Sequence, residues 1–135
     1  MVKFDLDKIK GLEKIYRLNL INSCTGYKSA NLIGSIDKEG NTNLAIFSSI
    51  THLGSDPAMI GFVLRPRTVP RNTYNNIFKN KYFTVNHVFE NDIADAHHTS
   101  AKYPKEVSEF DVTKLEPEFL AVSYTHLTLP TRIFV

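Results

Sequence analysis

The sequence has little cysteine, since Cys24 is the only one among 135 residues. A lone cysteine cannot form an internal disulfide, so we expect a protein of a reducing compartment, the cytoplasm. Neither a histidine-rich nor an acidic motif lies beside Cys24. A single cysteine is usually a packing residue. The cysteine content therefore argues against a disulfide-stabilised secreted domain and gives no support to thiol catalysis.

Long apolar runs and a strong charge imbalance are also absent. No apolar run approaches the ~20 residues that a membrane-spanning helix needs. The first residues mix charged and apolar side chains and lack the apolar core of a secretory signal. The formal net charge is +2, which is too weak to indicate a nucleic acid as partner. We therefore expect neither a membrane nor a nucleic acid among the partners.

The familiar catalytic motifs are missing as well. The chain has no recognisable Ser-His-Asp or Cys-His set, no paired carboxylates and no GxGxxG dinucleotide motif. His97 and His98 are adjacent, which is the wrong spacing for two metal ligands on one helix face, and no cysteine or acidic partner completes a zinc set. We predict no metal site and no catalytic side chain.

The sequence does contain residue types that suit a phosphate, and they are concentrated in residues 43–73. Three of the five arginines, Arg65, Arg67 and Arg71, lie within seven residues, and guanidinium groups can bind phosphate bidentately. Arg71 is the strongest candidate because it precedes a predicted helix whose N-terminus offers partial positive charge and free N–H groups. Thr73 can act both as N-cap and as phosphate ligand. The alternative interpretation is a solvated basic loop.

Small hydroxyl residues end the apolar run that opens the same stretch. Ser48 and Ser49 can donate hydroxyl and backbone N–H groups to a phosphorylated ligand. Their alternative is an ordinary turn at the end of a strand. Asn43, Ala45 and Phe47 belong to that strand, and for Phe47 a place in the core is the competing interpretation.

The pattern of apolar residues predicts short strands joined by hairpins, with helices inserted between the later strands. Strands are predicted at residues 16–22, 31–36, 42–48, 58–64 and 81–89, helices at 73–79 and 91–99, and a short helix or arm at 3–11. The run at 58–64 is apolar at nearly every position, which predicts burial on both faces. Thr73 and Asn91 are the predicted N-caps. We expect hairpin residues at 37–41, a loop at 65–70, and loops with one helical turn at 108–119. The fold class is therefore α+β, mainly antiparallel β, in the form of a barrel and not of a parallel α/β sheet.

Several segments together resemble the flavin reductase-like family of FMN-binding split β-barrels, which implies a Greek-key arrangement of the strands. They are NLIGSIDKEGNTNLAIFSSI, GSDPAMIGFVLRP, VPRNTYNNIFKNKYFTVNHV and AHHTSAKYPKEVSEF, and they cover most of residues 20–119. The resemblance implies a homodimer with FMN near the subunit interface and electron transfer from NAD(P)H to flavin or to a small-molecule or protein acceptor. Many relatives have Arg-Asp-Thr where this chain has Arg71, Asn72 and Thr73. The absence of catalytic side chains fits, because a flavin accepts the hydride itself while the protein orients it.

The resemblance also implies roles for particular residues. The residues expected to bind FMN are Asn43, Ala45, Phe47, Ser48, Ser49, Arg65, Arg71 and Thr73. In the strand, backbone groups would meet the polar edge of the isoalloxazine ring. His97, Ser100 and Lys102 are candidates for a place near the substrate or the flavin, on the same or the neighbouring subunit. The implied function is an FMN-dependent NAD(P)H oxidoreductase, and the alternative is a non-catalytic FMN-binding module for storage, sensing or electron relay.

The end of the chain departs from the family pattern. Residues 121–135 resemble a translated sequencing-adapter tail of the kind found on metagenomic gene fragments. We therefore predict a split-barrel domain at 1–120 that is incomplete at the C-terminus, followed by a non-native tail at 121–135. The alternative is a genuine C-terminal strand, since residues 124–129 partly alternate.

Overall fold

The computed structural model describes residues 3–65, 71–104, 106–121 and 125–128. The helices are α1 (Leu6–Gly11), α2 (Lys14–Ser23), α3 (Asn72–Asn80) and α4 (Ile93–His98), with 3-10 turns at Glu90–Asp92 and Glu109–Asp111. The strands are β1 (Asn31–Ile36), β2 (Thr42–Phe47), β3 (Thr51–Ser55), β4 (Ala58–Gly61), β5 (Thr84–His87), β6 (Glu118–Ala121) and β7 (Thr125–Thr128). In these ranges no helix is long and apolar enough to cross a bilayer.

The centre of the fold is an antiparallel sheet in the order β2-β1-β5. The predicted hairpin between β1 and β2 is confirmed. Its turn is fixed by the Asp37 carboxylate, which accepts hydrogen bonds from the backbone N–H groups of Glu39 and Asn41 at 2.9 and 2.8 Å. Gly40 takes φ +92, a conformation that glycine adopts without strain. Burial by itself would raise the pKa of the Asp37 carboxyl, but the hydrogen bonds from Asn41 and Glu39 outweigh that effect and lower this pKa.

The two faces of this sheet carry different chemistry because side chains alternate along a strand. On one face Leu32 and Leu44 are at most 1% exposed and pack with Ala96 of α4 and Phe110 of the second 3-10 turn. On the other face, Ser35 and Asn43 lie beneath α3. The apolar face therefore holds the core, whereas the face under α3 is partly polar.

Two smaller antiparallel sheets complete the described structure. Strands β3 and β4 form a hairpin around Asp56 and Pro57, with an irregularity between His52 and Gly54. Strands β6 and β7 pair with each other, and β7 lies near β1 and β5. The predicted mainly antiparallel α+β class is confirmed, and within the described ranges the strands form three separate sheets and not one closed barrel.

Two strand predictions are wrong. Residues 14–23 form α2, although a strand was predicted from Tyr16. The Glu13 carboxylate accepts from the N–H groups of Ile15 and Tyr16, which caps the helix and lowers the Glu13 pKa. The apolar run at 58–64 is not buried on both faces, because β4 stops at Gly61 and Met59 is 45% exposed in a hairpin that packs little.

The later helix boundaries also differ from the predictions. Arg71, and not Thr73, occupies the N-cap position of α3, and Thr73 lies inside the first turn. Asn91 is part of a 3-10 turn, so α4 begins at Ile93. Strand β5 is confirmed but shorter than predicted, and the single helical turn in 108–119 is confirmed. The predicted loop at 65–70 falls almost wholly outside the described residues.

Candidate functional site

A buried cluster of neutral polar side chains joins the central sheet to α3. We call it the polar cluster, and its members are Ser35, Asn43, Thr73 and Asn76. The Asn43 amide Nδ2 donates to Thr73 Oγ1 at 3.0 Å and to Ser35 Oγ at 3.4 Å, and Asn76 Nδ2 donates to Ser35 Oγ at 3.2 Å. All four residues are at most 6% exposed. Because buried polar groups are costly unless hydrogen-bonded, the cluster fixes how α3 sits on the sheet.

The N-terminus of α3 carries an unused donor. Arg71 holds the N-cap position in extended conformation, and its carbonyl accepts from Asn75 N–H at 3.1 Å. Its side chain makes no capping bond, and its Nε is buried without an acceptor among the residues that the structure describes. A buried guanidinium N–H without a partner is unfavourable. An anion bound at this helix end would remove that cost and would also meet the positive end of the helix dipole.

The structure brings the predicted strand residues together with this helix end. Asn43 contacts Thr73 directly, and Ala45 and Phe47 continue along the same face of β2. Phe47 meets Phe62 edge-to-face at 5.2 Å, and Phe62 meets Phe83 in the same way at 5.3 Å. The face therefore runs from a polar, donor-rich end at α3 to a half-buried aromatic group.

The serines and Arg65 have different surroundings. The Ser49 hydroxyl donates to the Val63 carbonyl at 3.3 Å and accepts from the Val63 N–H at 3.0 Å. Ser49 thus ties the end of β2 to the segment after β4, and its hydroxyl proton is already donated within the chain. Ser48 and Arg65 are exposed, so neither has a position fixed by packing.

Within one chain, the candidates on and after α4 are separated from this site. α4 packs through Ala96 on the face of the sheet that carries Leu32 and Leu44, opposite to α3. His97 and Lys102 are exposed, and the Ser100 hydroxyl donates to the His97 carbonyl at 2.7 Å. These residues therefore do not converge with Asn43 and Thr73 in a single chain.

Some residues of the site were not predicted from the sequence. Ser35 and Asn76 had no recognised signal, although both stand at inward positions of a predicted strand and helix. Phe62 and Phe83 were assigned only to predicted strands. No three of the described histidine, cysteine, aspartate and glutamate side chains form a group that could hold a metal ion.

Residues 27–128 match the flavin reductase like domain family, and the chain belongs to that family. This confirms the predicted family and implies a flavin cofactor. The match includes β6 and β7; the predicted boundary at 120 and the predicted non-native tail remain predictions.

Solved structures confirm the split-barrel fold. A proposed flavin reductase with a split barrel domain from Shewanella frigidimarina NCIMB 400 is 43% identical with a TM-score of 0.87, over 98% of this chain and 65% of that one. Nitrilotriacetate monooxygenase component B from Bacillus cereus is 22% identical with a TM-score of 0.75, over 95% of this chain and 63% of that one.

A curated protein is similar over a shorter region. An uncharacterized protein of Aquifex aeolicus (strain VF5) is 32% identical over 88 residues, which is 64% of this chain and 45% of that protein. The chain thus spans between 45% and 65% of the length of this protein and of the two solved structures.

Proposed function

We propose that the chain binds FMN, with the phosphate at the N-terminus of α3. The observation that carries this proposal is the buried Nε of Arg71, which lacks an acceptor at a helix end among the described residues. Family membership indicates that the ligand is a flavin. The phosphate is what distinguishes FMN from riboflavin, and a guanidinium beside a helix N-terminus is suited to that group.

Under this proposal Arg71 and Thr73 hold the phosphate, while the face of β2 at Ala45 and Phe47 lies along the rest of the molecule. Three residues at and beyond the end of β2 are also proposed to bind FMN: Ser48, Ser49 and Arg65. Because the Ser49 hydroxyl already donates its proton to Val63, Ser49 would bind FMN only as an acceptor or through its backbone groups. When bound, a flavin can accept a hydride from a reduced nicotinamide. The residues of this chain would bind and orient it and exclude water.

Replacement of Arg71 tests whether the N-terminus of α3 binds the FMN phosphate. Arg71→Ala should weaken FMN binding by ~1–3 kcal/mol, because a charge-assisted hydrogen bond is lost, and should leave riboflavin binding unchanged. Quenching of flavin fluorescence on titration measures both. Lys79→Ala is the matched control, since it removes one positive charge at the other end of α3. Equal FMN affinity of the wild type and Arg71→Ala would contradict the proposal.

We propose further that NAD(P)H reduces the bound flavin and that the electrons pass to free flavin or another acceptor. Loss of flavin absorbance on anaerobic addition of NADH or NADPH tests this step and gives the preference between them. The alternative is a non-catalytic FMN-binding module. It is favoured by the fact that Ser35, Asn43, Thr73 and Asn76 are neutral groups that orient but do not exchange protons. Flavin that binds but is bleached by neither donor would support that alternative.

A homodimer and a cytoplasmic location are also part of the proposal. Exposed apolar side chains on the β3–β4 hairpin and α2 offer surfaces for a second copy. A second copy would also allow His97, Ser100 and Lys102 to approach the flavin of its neighbour, which they do not do within their own chain. The location is supported by Cys24, an exposed free thiol suited to a reducing compartment.

A further inference from the structure

In the polar cluster the two asparagine amides are the donors, and the hydroxyl oxygens of Ser35 and Thr73 are the acceptors. The Asn43 amide has two N–H donors, and it gives one to Ser35 Oγ and one to Thr73 Oγ1. Ser35 Oγ also accepts from Asn76. Thr73 therefore receives a hydrogen bond from inside the fold and keeps its own hydroxyl proton for another partner.

That proton has no acceptor among the described residues, although Thr73 is only 6% exposed. Arg71, the N-cap residue two positions earlier, likewise has a buried donor, Nε, without an acceptor among these residues. A hydroxyl proton and a guanidinium N–H thus lie unused at one helix end. Both are donors, so a bound acceptor such as a phosphate oxygen satisfies both, whereas a cation satisfies neither.

We infer that Asn43 is a positioning residue that acts through Thr73, and that it turns the Thr73 hydroxyl proton outward to the phosphate of the ligand. Ser35 and Asn76 hold the Asn43 amide in the orientation that makes Thr73 a donor. This inference rests on the proposed FMN site. It differs from the role first predicted for Asn43, in which backbone groups of its strand meet the flavin ring.

The test compares FMN with riboflavin, because only FMN carries the phosphate. Asn43→Ala should weaken FMN binding about 3- to 10-fold, since the Thr73 hydroxyl loses its fixed orientation. Thr73→Val should weaken FMN binding about 10- to 100-fold, and Thr73→Ser should restore most of the affinity. Riboflavin binding should change less than about twofold in each variant. The readout is fluorescence quenching of the flavin by the full chain, with thermal unfolding measured in parallel.

The double variant shows whether Asn43 acts through Thr73. If it does, Asn43→Ala has no further effect on FMN binding in a Thr73→Val background, because the group that it positions is gone. Asn86→Ala is the matched control. Asn86 is 1% exposed and its amide donates to the Leu32 carbonyl and to Thr84 Oγ1. It lies on the opposite face of the same sheet, so its loss should reduce stability and leave the FMN-to-riboflavin affinity ratio unchanged.

Three results would overturn the inference. The first is that the losses of FMN affinity caused by Asn43→Ala and Thr73→Val add up in the double variant. The second is that Asn43→Ala weakens FMN and riboflavin binding equally. The third is that Asn86→Ala changes the ratio of FMN to riboflavin affinity. The outcome for Arg71 separates this inference from the proposed function. If Arg71→Ala weakens FMN binding selectively while Asn43→Ala and Thr73→Val do not, the phosphate binds at the N-terminus of α3 but the role of Asn43 and Thr73 is refuted. If Arg71→Ala has no effect on FMN binding, the proposed phosphate site itself is refuted.

Discussion

At the scale of single residues, each face of the central sheet depends on a different kind of contact. Leu44 is fully buried and packs with Leu32, Ala96 and Phe110. One position earlier on β2, Asn43 points to the other side and bonds Thr73. A shift of one residue in the register of β2 would exchange these environments and bury leucine among polar groups.

Truncation of Leu44 should measure the apolar core. Leu44→Ala should lower the free energy of unfolding by about 2–5 kcal/mol, since a buried leucine leaves a cavity that the sheet cannot close. Urea denaturation gives the value. Leu6→Ala is the control, because Leu6 is 65% exposed on α1 and lies outside the surfaces proposed for the dimer, and it should change stability by less than about 0.5 kcal/mol. If both variants lost similar amounts of unfolding free energy, Leu44 would not be part of the apolar core.

At the scale of elements, the second 3-10 turn protects the outer edge of β2. Strand β2 is an edge strand of its sheet in the described structure, and unpaired edge groups invite other strands. The Glu109 carboxylate accepts from Leu44 N–H at 2.9 Å, and the Ser108 and Thr42 hydroxyls are 2.9 Å apart. Phe110 anchors the turn in the core. A short turn with one buried aromatic residue therefore substitutes for a neighbouring strand at this point.

The charge of Glu109 should make this element sensitive to pH. Burial raises the pKa of the Glu109 carboxyl above its ordinary value of 4.5, and the hydrogen bond from Leu44 opposes the shift only in part. The folded state therefore holds this proton more tightly than the unfolded state does. The stability that Glu109 contributes is complete below that ordinary value and falls as the pH rises through the raised pKa.

Glu109→Gln is the variant that tests this sign. Glutamine keeps an acceptor for Leu44 N–H but carries no charge, so the variant should become more stable relative to the wild type as the pH rises through the window. Unfolding free energies of both proteins, taken at matched pH values, give the difference. Asp37→Asn should show the opposite trend, since the folded state lowers the Asp37 pKa. A constant difference between wild type and Glu109→Gln would refute the prediction.

At the scale of the whole molecule, several large apolar side chains remain exposed to solvent. Leu53, Met59 and Val63 are 61%, 45% and 67% exposed on and after the β3–β4 hairpin, and Ile15 and Leu18 are 59% and 49% exposed on α2. Side chains of this size are usually covered when they cluster. This supports the proposed homodimer.

Light scattering after gel filtration tests the dimer. The wild type should have twice the 15.3 kDa mass of one chain, and Leu53→Glu should shift it toward the monomer, because a buried charge opposes association. Phe78→Glu is the control on the outer side of α3, where Phe78 is 62% exposed, and should leave the mass unchanged. A monomeric wild type would contradict the proposal.

The features that the sequence predicts well are those that neighbouring residues determine. The β1–β2 hairpin was predictable because alternation and the Asp37 to Gly40 turn act within a few residues. The helix α3 and the arginine before it were predictable from the same kind of local pattern, and the combined motifs were sufficient for the family. The apolar spacing of α2 also fits a strand, so spacing alone predicts the wrong element there, and it is the Glu13 cap that marks the start of the helix.

By itself, the sequence determined the class of fold, the family and the residue types that suit a phosphate. Only the tertiary structure decided which of them meet. The hydrogen bond from Asn43 to Thr73 joins residues 30 positions apart, and it depends on how α3 docks on the sheet. The same holds for Arg71 Nε, which has no acceptor among the described residues, and for α4, whose packing through Ala96 places His97 on the far side of the sheet. Contacts of this kind depend on packing between distant segments, which no local pattern encodes.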